Sequence, residues 1–359
     1  MTIFTQKSFN NHEQVVFCQD EHSGLKAIIG VHNTKLGPAL GGCRFYPYSD
    51  EEMALNDVLR LSRGMTYKAS VAGLNLGGGK SVIIGDPKKI GTEQLFRAFG
   101  RFVNGLNGRY ITAEDVGTSD KNMVWINKET PYVTGLPTYF GGSGDPSPFT
   151  AHGVFVGIKS ALKKQKGSDS LAGVKVAVQG AAGHVAFNLC RELHEAGAVL
   201  YISDINKEGL KRAAEEFNAT IVEGDEIYKQ DVDVYAPCAL GATVNDTTIP
   251  MLKCSIIAGA ANNQLEDEDK HGDMLRSKGI LQAPDYVINA GGLISVDSEI
   301  TGGGVGHVNA QIEDIYTTLL NIYNMADQEG ISTVAAANNI AKKRISDINV
   351  INGIYKGEE

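Results

Sequence analysis

Strand-like and helix-like runs alternate through the second half of this chain, and this alternation restricts the fold more than any other feature. The strand-like runs are VKVAVQG (174–180), AVLYISD (198–204), 232–235, 255–258 and 286–288. Helical patterns run through Leu193 after the first strand and over 207–217 after the second. Strands that alternate with helices predict an α/β domain built on a parallel, doubly wound sheet.

The length of the chain predicts a second domain. Its 359 residues exceed the roughly 250–300 residues at which a single hydrophobic core stops growing. Helical patterns in the first part cover 50–62 and 92–106. The segment 139–153 is rich in Gly, Pro and Ser, which is typical of an interdomain linker.

These patterns predict two α/β domains. We expect the first over 1–140 and a Rossmann-type domain over 141–330. The stretch 311–345 has a helical pattern. We therefore expect C-terminal helices within 331–359 to pack back on the first domain.

Composition and charge argue against several classes of partner. Apolar residues make up 42% of the chain, and no run approaches the roughly 18 apolar residues of a membrane span. The net charge of -9, without a Lys/Arg cluster, argues against nucleic acid. The five cysteines and eight histidines form no CxxC or HExxH pattern, so we expect no metal site. The start, MTIFTQKSFNNHEQ, does not resemble a secretion signal, so we expect a cytoplasmic protein.

A glycine turn after the first of these strands is the candidate dinucleotide site. In GAAGHVA, Gly180 and Gly183 allow the backbone to approach a pyrophosphate, which the amides of the next helix would bind. Asp204 ends the following strand, 24 residues beyond Gly180, where a carboxylate accepts hydrogen bonds from the ribose hydroxyls. A carboxylate there repels a 2′-phosphate, which favours NAD over NADP. The alternative is a Rossmann-like domain in which Asp204 merely ends a strand.

The glycine turn departs from the usual spacing. The fingerprint is GxGxxG or GxGxxA, whereas this chain has GxxGxxA, one residue longer. The extra residue either shifts the pyrophosphate, alters the affinity for the cofactor, or bulges away. His184, at the predicted start of the helix, is either a phosphate donor or an exposed side chain.

A second glycine-rich segment, GLNLGGGKS (73–81), looks like a phosphate-binding P-loop but does not match one. A P-loop has a glycine six residues before its lysine, and position 74 is leucine. The alternative is that Lys80 lies in a tight crevice, where poor solvation and a neighbouring cation favour the neutral amine and make it a base. A second lysine, Lys68, lies twelve residues before it in a similarly apolar run.

Motifs along the whole chain resemble the amino acid dehydrogenases, the family of the glutamate, leucine, valine and phenylalanine enzymes. They run in the family's order and are most similar to its leucine-specific branch. The motifs are LGPALGGCRFYPY, DVLRLSRGMTYKASVAGLNLGGGKSVI, YITAEDVGT, GSGDPSPFTAHGV, APCALG, AGAANNQL and VINAGGLI. The resemblance implies a first domain for catalysis and oligomerisation, a second domain that binds NAD, and an active site in the cleft between them.

The resemblance also implies roles for individual residues. Lys80 would activate the water that attacks an imino acid intermediate, Lys68 would hold the substrate carboxylate, and Asp115 would relay protons with Lys80. Thr150 and Asn262 would hold the nicotinamide carboxamide near the substrate, which Asn262 would also contact. The other implied cofactor contacts are Gly180, Ala181, Gly183, His184, Val185, Asp204, Ala239 and Asn289.

Leu40 decides the predicted substrate class. The glutamate enzymes of the family have a lysine immediately before the paired glycines, here Gly41 and Gly42, to bind the side-chain carboxylate. A leucine would leave that carboxylate unpaired, at a cost on the order of several kcal/mol, so glutamate should be rejected. By resemblance, the rest of the pocket is apolar: Ala113, Leu293 and Val296. The alternative is that these four side chains are ordinary core residues.

The resemblance therefore implies a homo-oligomeric enzyme, an octamer or a dimer, that deaminates leucine, valine and isoleucine reversibly with NAD. The alternative within the family is a phenylalanine- or other aromatic-preferring enzyme. The resemblance argues against it, because phenylalanine-specific relatives tend to enlarge the pocket near the position of Ala113, which is retained here. Two alternatives from other classes are a nucleotide-binding protein without turnover and a P-loop phosphotransferase. The presence of Lys68, Lys80 and Asp115 argues against the first, because a protein that only binds a nucleotide does not need these three side chains.

Overall fold

A computed structural model of the chain describes residues 3–6 and 8–351. Among these residues two units are distinguished: Met1–Asp145 with Val296–Gly302 and Ala341–Glu359, and Pro146–Ser295 with Gly303–Ile340. The assignment of catalysis to 1–140 and of NAD binding to 141–330 stays a prediction. Of the C-terminal segment expected to pack on the first domain, residues 352–359 lie outside the described residues.

The first unit is built on a mixed sheet. Its strands are β1 (Gln14–Asp20), β2 (Leu25–Asn33), β3 (Ala39–Tyr46), β4 (Gly77–Ile84) and β5 (Tyr110–Glu114). In the described part of the chain they form one sheet in the order β1-β2-β4-β3-β5, in which β3 runs parallel to β4 and β5 and the other pairs are antiparallel. The accompanying helices are α1 (Glu51–Val71), α2 (Pro87–Ile90), α3 (Glu93–Asn104) and α4 (Asp120–Asn127).

Helices cover both faces of this sheet. On one face, Val58 and Leu59 of α1 pack with Val82 of β4. On the other, Phe96 of α3 and Met123 of α4 belong to a larger buried cluster with strand residues. Each face therefore has its own apolar core, as expected for an α/β unit.

Helix α1 extends nine residues beyond its predicted end at residue 62. Asp50 is the N-cap of this helix, because its side chain accepts a hydrogen bond from the Met53 amide at 2.8 Å. In its second half the buried positions include Thr66 and Ser70. Small polar residues at buried positions do not register in a hydrophobic pattern, so the pattern ends before the helix does.

The second unit is built on a parallel sheet. Its strands are β6 (Lys175–Gln179), β7 (Val199–Ser203), β8 (Thr220–Ile221), β9 (Val234–Pro237), β10 (Ile256–Ile257) and β11 (Leu281–Gln282). Their order within the described residues is β11-β10-β9-β6-β7-β8, and each pair is parallel. Strand order reverses between β6 and β9, which is where doubly wound sheets bind ligands. The predicted α/β class is confirmed.

Further helices follow the first unit's four in chain order. They are α5 (Ser147–Lys166), α6 (His184–Glu195), α7 (Lys207–Phe217), α8 (Glu268–Ser277), α9 (Asp285–Ile288), α10 (Gly291–Thr301), α11 (Val305–Glu329) and α12 (Thr333–Val350). Helices α10 and α12 have residues in both units. In the part of the chain that the structure describes, no helix is long and apolar enough to cross a membrane.

Two local predictions were wrong, and the predicted helical stretch 311–345 is confirmed but interrupted. The segment 286–288 is helical, in α9, because Pro284 and Asp285 begin a helix there and the strand comes earlier, as β11. The predicted linker 139–153 ends early, because α5 begins at Ser147 with a proline in its first turn. The helical stretch 311–345 is two helices, which Gly330 separates in a left-handed conformation (φ 66°).

Candidate active site

Strands β4, β3 and β5 approach one another closely because glycines lie where they meet. A side chain at Gly41 would place its Cβ 1.7 Å from the carbonyl oxygen of Gly79, and one at Gly42 would lie 2.8 Å from the Cβ of Asp115. The Tyr110 hydroxyl donates to the Gly41 carbonyl at 2.6 Å. The paired glycines thus serve strand packing and bring Asp115 beside β3.

Strand register places the candidate substrate and catalytic residues on one face of the sheet. It pairs Leu40 with Gly78, Arg44 with Val82, and Gly42 with Ala113. Paired residues project to the same face, and so do residues two apart on one strand. Leu40, Lys80 and Ala113 therefore share the face that α1 covers.

Lys80 and Asp115 form a buried ion pair. The Lys80 residue is only 6% exposed, and its Nζ donates to Asp115 Oδ2. The other carboxylate oxygen, Oδ1, accepts from the Val116 amide at 2.7 Å. Burial raises the pKa of Asp115, but the positive charges of Lys80 and Arg44 outweigh it and leave the pKa below its ordinary value. Asp115 is therefore ionised at neutral pH.

A network behind this pair was missed from the sequence. Arg44 Nη1 donates to Asp57 Oδ2 at 2.9 Å, and the Tyr48 hydroxyl donates to the same oxygen at 2.5 Å. Arg44 Nε lies 3.7 Å from Asp115 Oδ2. The alternation of side chains along a strand could have indicated Arg44, since it follows Gly42 by two residues and must project to the same face.

The other substrate-binding candidates lie on helices. Lys68 is in the last turn of α1, a helix that packs against β4. Leu293 and Val296 lie three residues apart on α10, hence on one side of that helix. Leu40 and Leu293 are buried, 2% and 7% exposed. Burial fits a closed pocket and an ordinary core equally, so the pocket stays a prediction.

The glycine turn of the second unit lies at the switch point between β6 and β9. Gly180 has a left-handed conformation (φ 86°), and a Cβ there would lie 2.9 Å from the Cβ of Ala239. Gly183 is the N-cap of α6 and, lacking a side chain, leaves the first amides of that helix uncapped. Such a turn offers backbone donors to an anion such as a pyrophosphate.

Asp204 holds the lengthened turn in place. Its Oδ2 accepts from the Ala182 amide at 2.9 Å, and its Oδ1 from the Asn206 amide at 2.8 Å. Ala181 is fully buried, and Gly209 of α7 leaves room for Ala182, since a Cβ there would come within 2.7 Å of the Ala182 side chain. The extra residue is therefore packed inside the unit and does not bulge away. This second task of Asp204 was not predicted.

The remaining cofactor candidates lie at separate points of the second unit. His184 is exposed and Val185 partly exposed at the start of α6. Asn289, 4% exposed, donates from Nδ2 to Asn262 Oδ1 at 2.8 Å and thereby orients that side chain. Thr150 Oγ1 donates to the Pro146 carbonyl at 3.1 Å. Within residues 3–6 and 8–351, His, Cys, Asp and Glu side chains form no group suited to a metal ion.

Comparisons with known proteins agree with this geometry. The profile described as "Glu/Leu/Phe/Val dehydrogenase, dimerisation domain" matches residues 12–132, and "Glutamate/Leucine/Phenylalanine/Valine dehydrogenase" matches 141–210 and 202–353. The leucine dehydrogenase of Bacillus subtilis (strain 168) is 56% identical over 96% of this chain and 94% of its own length. That of Bacillus cereus is 54% identical over 99% and 96%.

A solved structure is similar over the same extent. The crystal structure of L-tryptophan dehydrogenase from Nostoc punctiforme has a TM-score of 0.84 and 49% identity, covering 95% of this chain and 97% of that one. Matches of this extent and identity establish common ancestry. The chain therefore belongs to the Glu/Leu/Phe/Val dehydrogenase family, the amino acid dehydrogenases that work with a nicotinamide cofactor.

Proposed function

We propose that this chain is a leucine dehydrogenase that uses NAD. It converts L-leucine, and also L-valine and L-isoleucine, with NAD+ and water into the 2-oxo acid, ammonium, NADH and a proton, reversibly. The observation that carries the proposal is the buried Lys80–Asp115 pair on the same sheet face as Leu40. An acid–base pair beside an apolar side chain suits the α-carbon of an aliphatic amino acid, and the higher identity of the two leucine-specific relatives supports this substrate.

Three side chains divide the chemistry of the first unit. We assign Lys68 to the substrate carboxylate, which an ammonium binds as a point charge. We assign Lys80 to the water that attacks the imino carbon, from which its amine removes a proton. Asp115 takes up and returns that proton through its contact with Lys80 Nζ. A carboxylate with a lowered pKa suits a relay, because it does not retain the proton.

The second unit would hold NAD through the glycine turn and Asp204. The chemistry that this cofactor would supply when bound is an acceptor for the hydride of the substrate Cα. Gly180 and the uncapped amides of α6 suit the pyrophosphate, and Asp204 beside the turn suits ribose hydroxyls and repels a 2′-phosphate. We assign Thr150 and the oriented Asn262 to the carboxamide. We also propose a homo-oligomer, assembled through the first unit, that works in the cytoplasm.

The test is NADH formation with L-leucine, L-valine, L-isoleucine, L-phenylalanine, L-tryptophan and L-glutamate, with NADP in parallel. We expect turnover on the aliphatic substrates with NAD. Lys80→Ala should abolish it, whereas the matched change Lys89→Ala, at a side chain 79% exposed, should not. Faster turnover of the aromatic substrates would replace the proposal by the aromatic alternative. If the folded protein binds NADH but forms none with any of these amino acids, the result would favour a nucleotide-binding protein without turnover.

A further inference from the structure

Arg44 has a buried donor that faces the catalytic carboxylate and binds nothing else. Its Nε has no hydrogen-bond partner and is shielded from solvent. An unpaired buried N–H is uncommon and destabilising, so it calls for an explanation. The nearest acceptor that the structure shows is Asp115 Oδ2, at 3.7 Å.

That separation is just beyond a hydrogen bond. A charged N–H bonds a carboxylate at about 2.8 Å, so a movement of about 0.9 Å would close the contact. The oxygen that faces Arg44 Nε is the same one that accepts from Lys80 Nζ. Asp115 Oδ2 thus lies between two cationic donors and is bonded to one of them.

The rest of the guanidinium is fixed from the other side. Arg44 Nη1 donates to Asp57 Oδ2 at 2.9 Å, and Asp57 also accepts from the Tyr48 hydroxyl. Asp57 lies on α1 and Arg44 on β3. The Arg44 head group is therefore held in place by a helix, while its Nε side faces the reacting pair.

We propose that Arg44 is a positioning residue that takes over the Asp115 carboxylate whenever Lys80 turns to the reacting water. This inference rests on the proposed function. Without Arg44, the buried carboxylate would lose its partner each time the Lys80 amine gave up its proton or moved, and an unpaired buried charge is costly. With Arg44, Asp115 exchanges one donor for another and remains able to accept the next proton.

Other groups around Asp115 do not replace Arg44. The titratable and charged groups that act on Asp115 are Cys43 and Arg44 on β3, Lys80 on β4, and Tyr110 and Glu114 on β5; Arg44 in turn faces Tyr48 and Asp57. Burial raises the pKa of both the Cys43 thiol and the Tyr110 hydroxyl, so both stay neutral. Glu114 and Asp57 are carboxyl groups. Apart from Lys80, Arg44 is the cation of this set.

The experiment measures kcat against pH with saturating L-leucine and NAD. Arg44→Met removes a positive charge beside Asp115, so the acid limb should move up by about one pH unit and kcat at neutral pH should fall at least about tenfold. Asp57→Asn removes the opposing negative charge, so the limb should move down. Arg44→Lys keeps the positive charge and should leave the acid limb of the pH profile at its wild-type position. Its kcat should be lower, because lysine lacks the forked donors of the guanidinium.

Tyr48→Phe is the matched control, because it removes a hydrogen bond to Asp57 and no charge. It should leave the limb in place. Thermal melting of each variant shows whether it is folded, and the double variant Arg44→Met with Asp57→Asn should return the limb towards that of the wild type. If the Arg44 and Asp57 variants shift the limb in the same direction, or not at all, the inference is wrong. If the wild type itself does not oxidise L-leucine, the proposed function has failed instead.

Discussion

At the level of single residues, we predict that substrate choice depends on Leu40. The side chain is 2% exposed and pairs with Gly78 on one neighbouring strand and Ile111 on the other. Leu40→Lys would add an ammonium to the sheet face of Lys80, where it could pair with a second substrate carboxylate. We expect detectable L-glutamate oxidation and at least a tenfold loss of kcat/KM for L-leucine, since an apolar contact of this size is worth about 1–3 kcal/mol.

Leu40→Met is the control for this prediction, because it changes shape without charge and should keep the preference for L-leucine. The kcat/KM values of both variants for both amino acids give the answer. If Leu40→Lys melts like the wild type and its preference for L-leucine over L-glutamate is unchanged, Leu40 lies outside the pocket.

We propose that Asp204 combines two tasks, which one substitution can separate. Its carboxylate accepts from the amides of Ala182 and Asn206, and we propose that it also selects the ribose. Asp204→Asn keeps an oxygen for the turn but loses the charge that repels a 2′-phosphate. We expect the ratio of kcat/KM for NAD to that for NADP to fall at least about tenfold. An unchanged ratio, with Asp204→Ala destabilising the protein, would reduce Asp204 to a structural residue of the turn.

The sequence predicts a role for a residue only where that residue belongs to a motif, as Lys80 and Asp115 do. The contact between Lys80 and Asp115 fits the predicted relay. The environment of Arg44 was not predictable, because its partners Asp57 and Asp115 come from a helix and from the residue that follows another strand. Contacts of this kind depend on sheet order and register, which the spacing of residues along the chain does not encode.

At the level of elements, Arg344 of α12 fixes the turn between α1 and β4. Its guanidinium donates to the carbonyl oxygens of Gly73 at 2.9 Å and Leu74 at 2.8 Å, and to Asn75 Oδ1 at 3.2 Å. These acceptors lie directly before the strand that carries the candidate base. Arg344→Ala leaves them without this donor, so we expect a loss of about 2–3 kcal/mol of unfolding free energy together with lower kcat.

Denaturant unfolding and steady-state kinetics test this prediction. The adjacent Lys343, whose side chain is 72% exposed, pairs with Asp347. Lys343→Ala should cost no more than about 0.5 kcal/mol, because exposed ion pairs contribute little. Equal losses from the two variants would mean that Arg344 does not fix the turn.

His152 joins three helices of the second unit and makes its stability depend on pH. Its Nδ1 lies 2.7 Å from Glu192 on α6 and its Nε2 lies 3.0 Å from Glu313 on α11. The hydrogen bond to Glu192, and then the charges of both carboxylates, raise the pKa of His152 although burial opposes this. A raised pKa stabilises the fold at pH values below the ordinary 6.5, and this contribution disappears as the pH rises through the folded value.

His152→Gln should therefore lower the free energy of unfolding at pH 6 and have a much smaller effect at pH 9. Urea unfolding at the two pH values measures this difference. The exposed His307 supplies the control, since His307→Gln should have no such dependence. A His152→Gln deficit that is equal at both pH values would show that packing, not charge, is lost.

The elements themselves were predicted where the pattern is local. The strand, turn and helix of β6 and α6 follow from an apolar run, a glycine turn and a 3.6-residue period. Segment 286–288 was assigned wrongly because its apolar residues suit a strand and a helix equally, and the preceding proline and aspartate decide for the helix. Short segments of this kind are settled by their caps, not by their period.

At the level of the whole molecule, alternation in the sequence was enough to predict the parallel sheet but not the mixed one. In the second unit, strands that follow one another are mostly neighbours, as is usual for consecutive elements. In the first unit, β3 lies between β4 and β5, and β2 pairs antiparallel with β4. That order depends on glycines that allow three strands to approach, and a glycine's partner is not evident from the chain.

Exposed strand edges differ between the two sheets, and this difference leads to a prediction about assembly. Strand β1 has seven residues and pairs, within the described part of the chain, along one side only, with β2. The outer strands β8 and β11 of the second sheet have two residues each. A long open edge is suited to pairing with another chain, whereas a very short one is not. Phe17 on β1 is 56% exposed, so a charge can be introduced at this edge without disturbing the core.

We therefore expect light scattering to give a mass that is a multiple of 38.4 kDa, and Phe17→Lys to shift the population towards smaller species. A lysine on an edge strand opposes pairing through its charge and the cost of burying it. Ile221→Lys, on the short edge strand β8 at a side chain 41% exposed, introduces the same charge and should leave the mass unchanged. A monomeric wild type would refute the homo-oligomer, and a larger effect of Ile221→Lys would place the interface on the second unit.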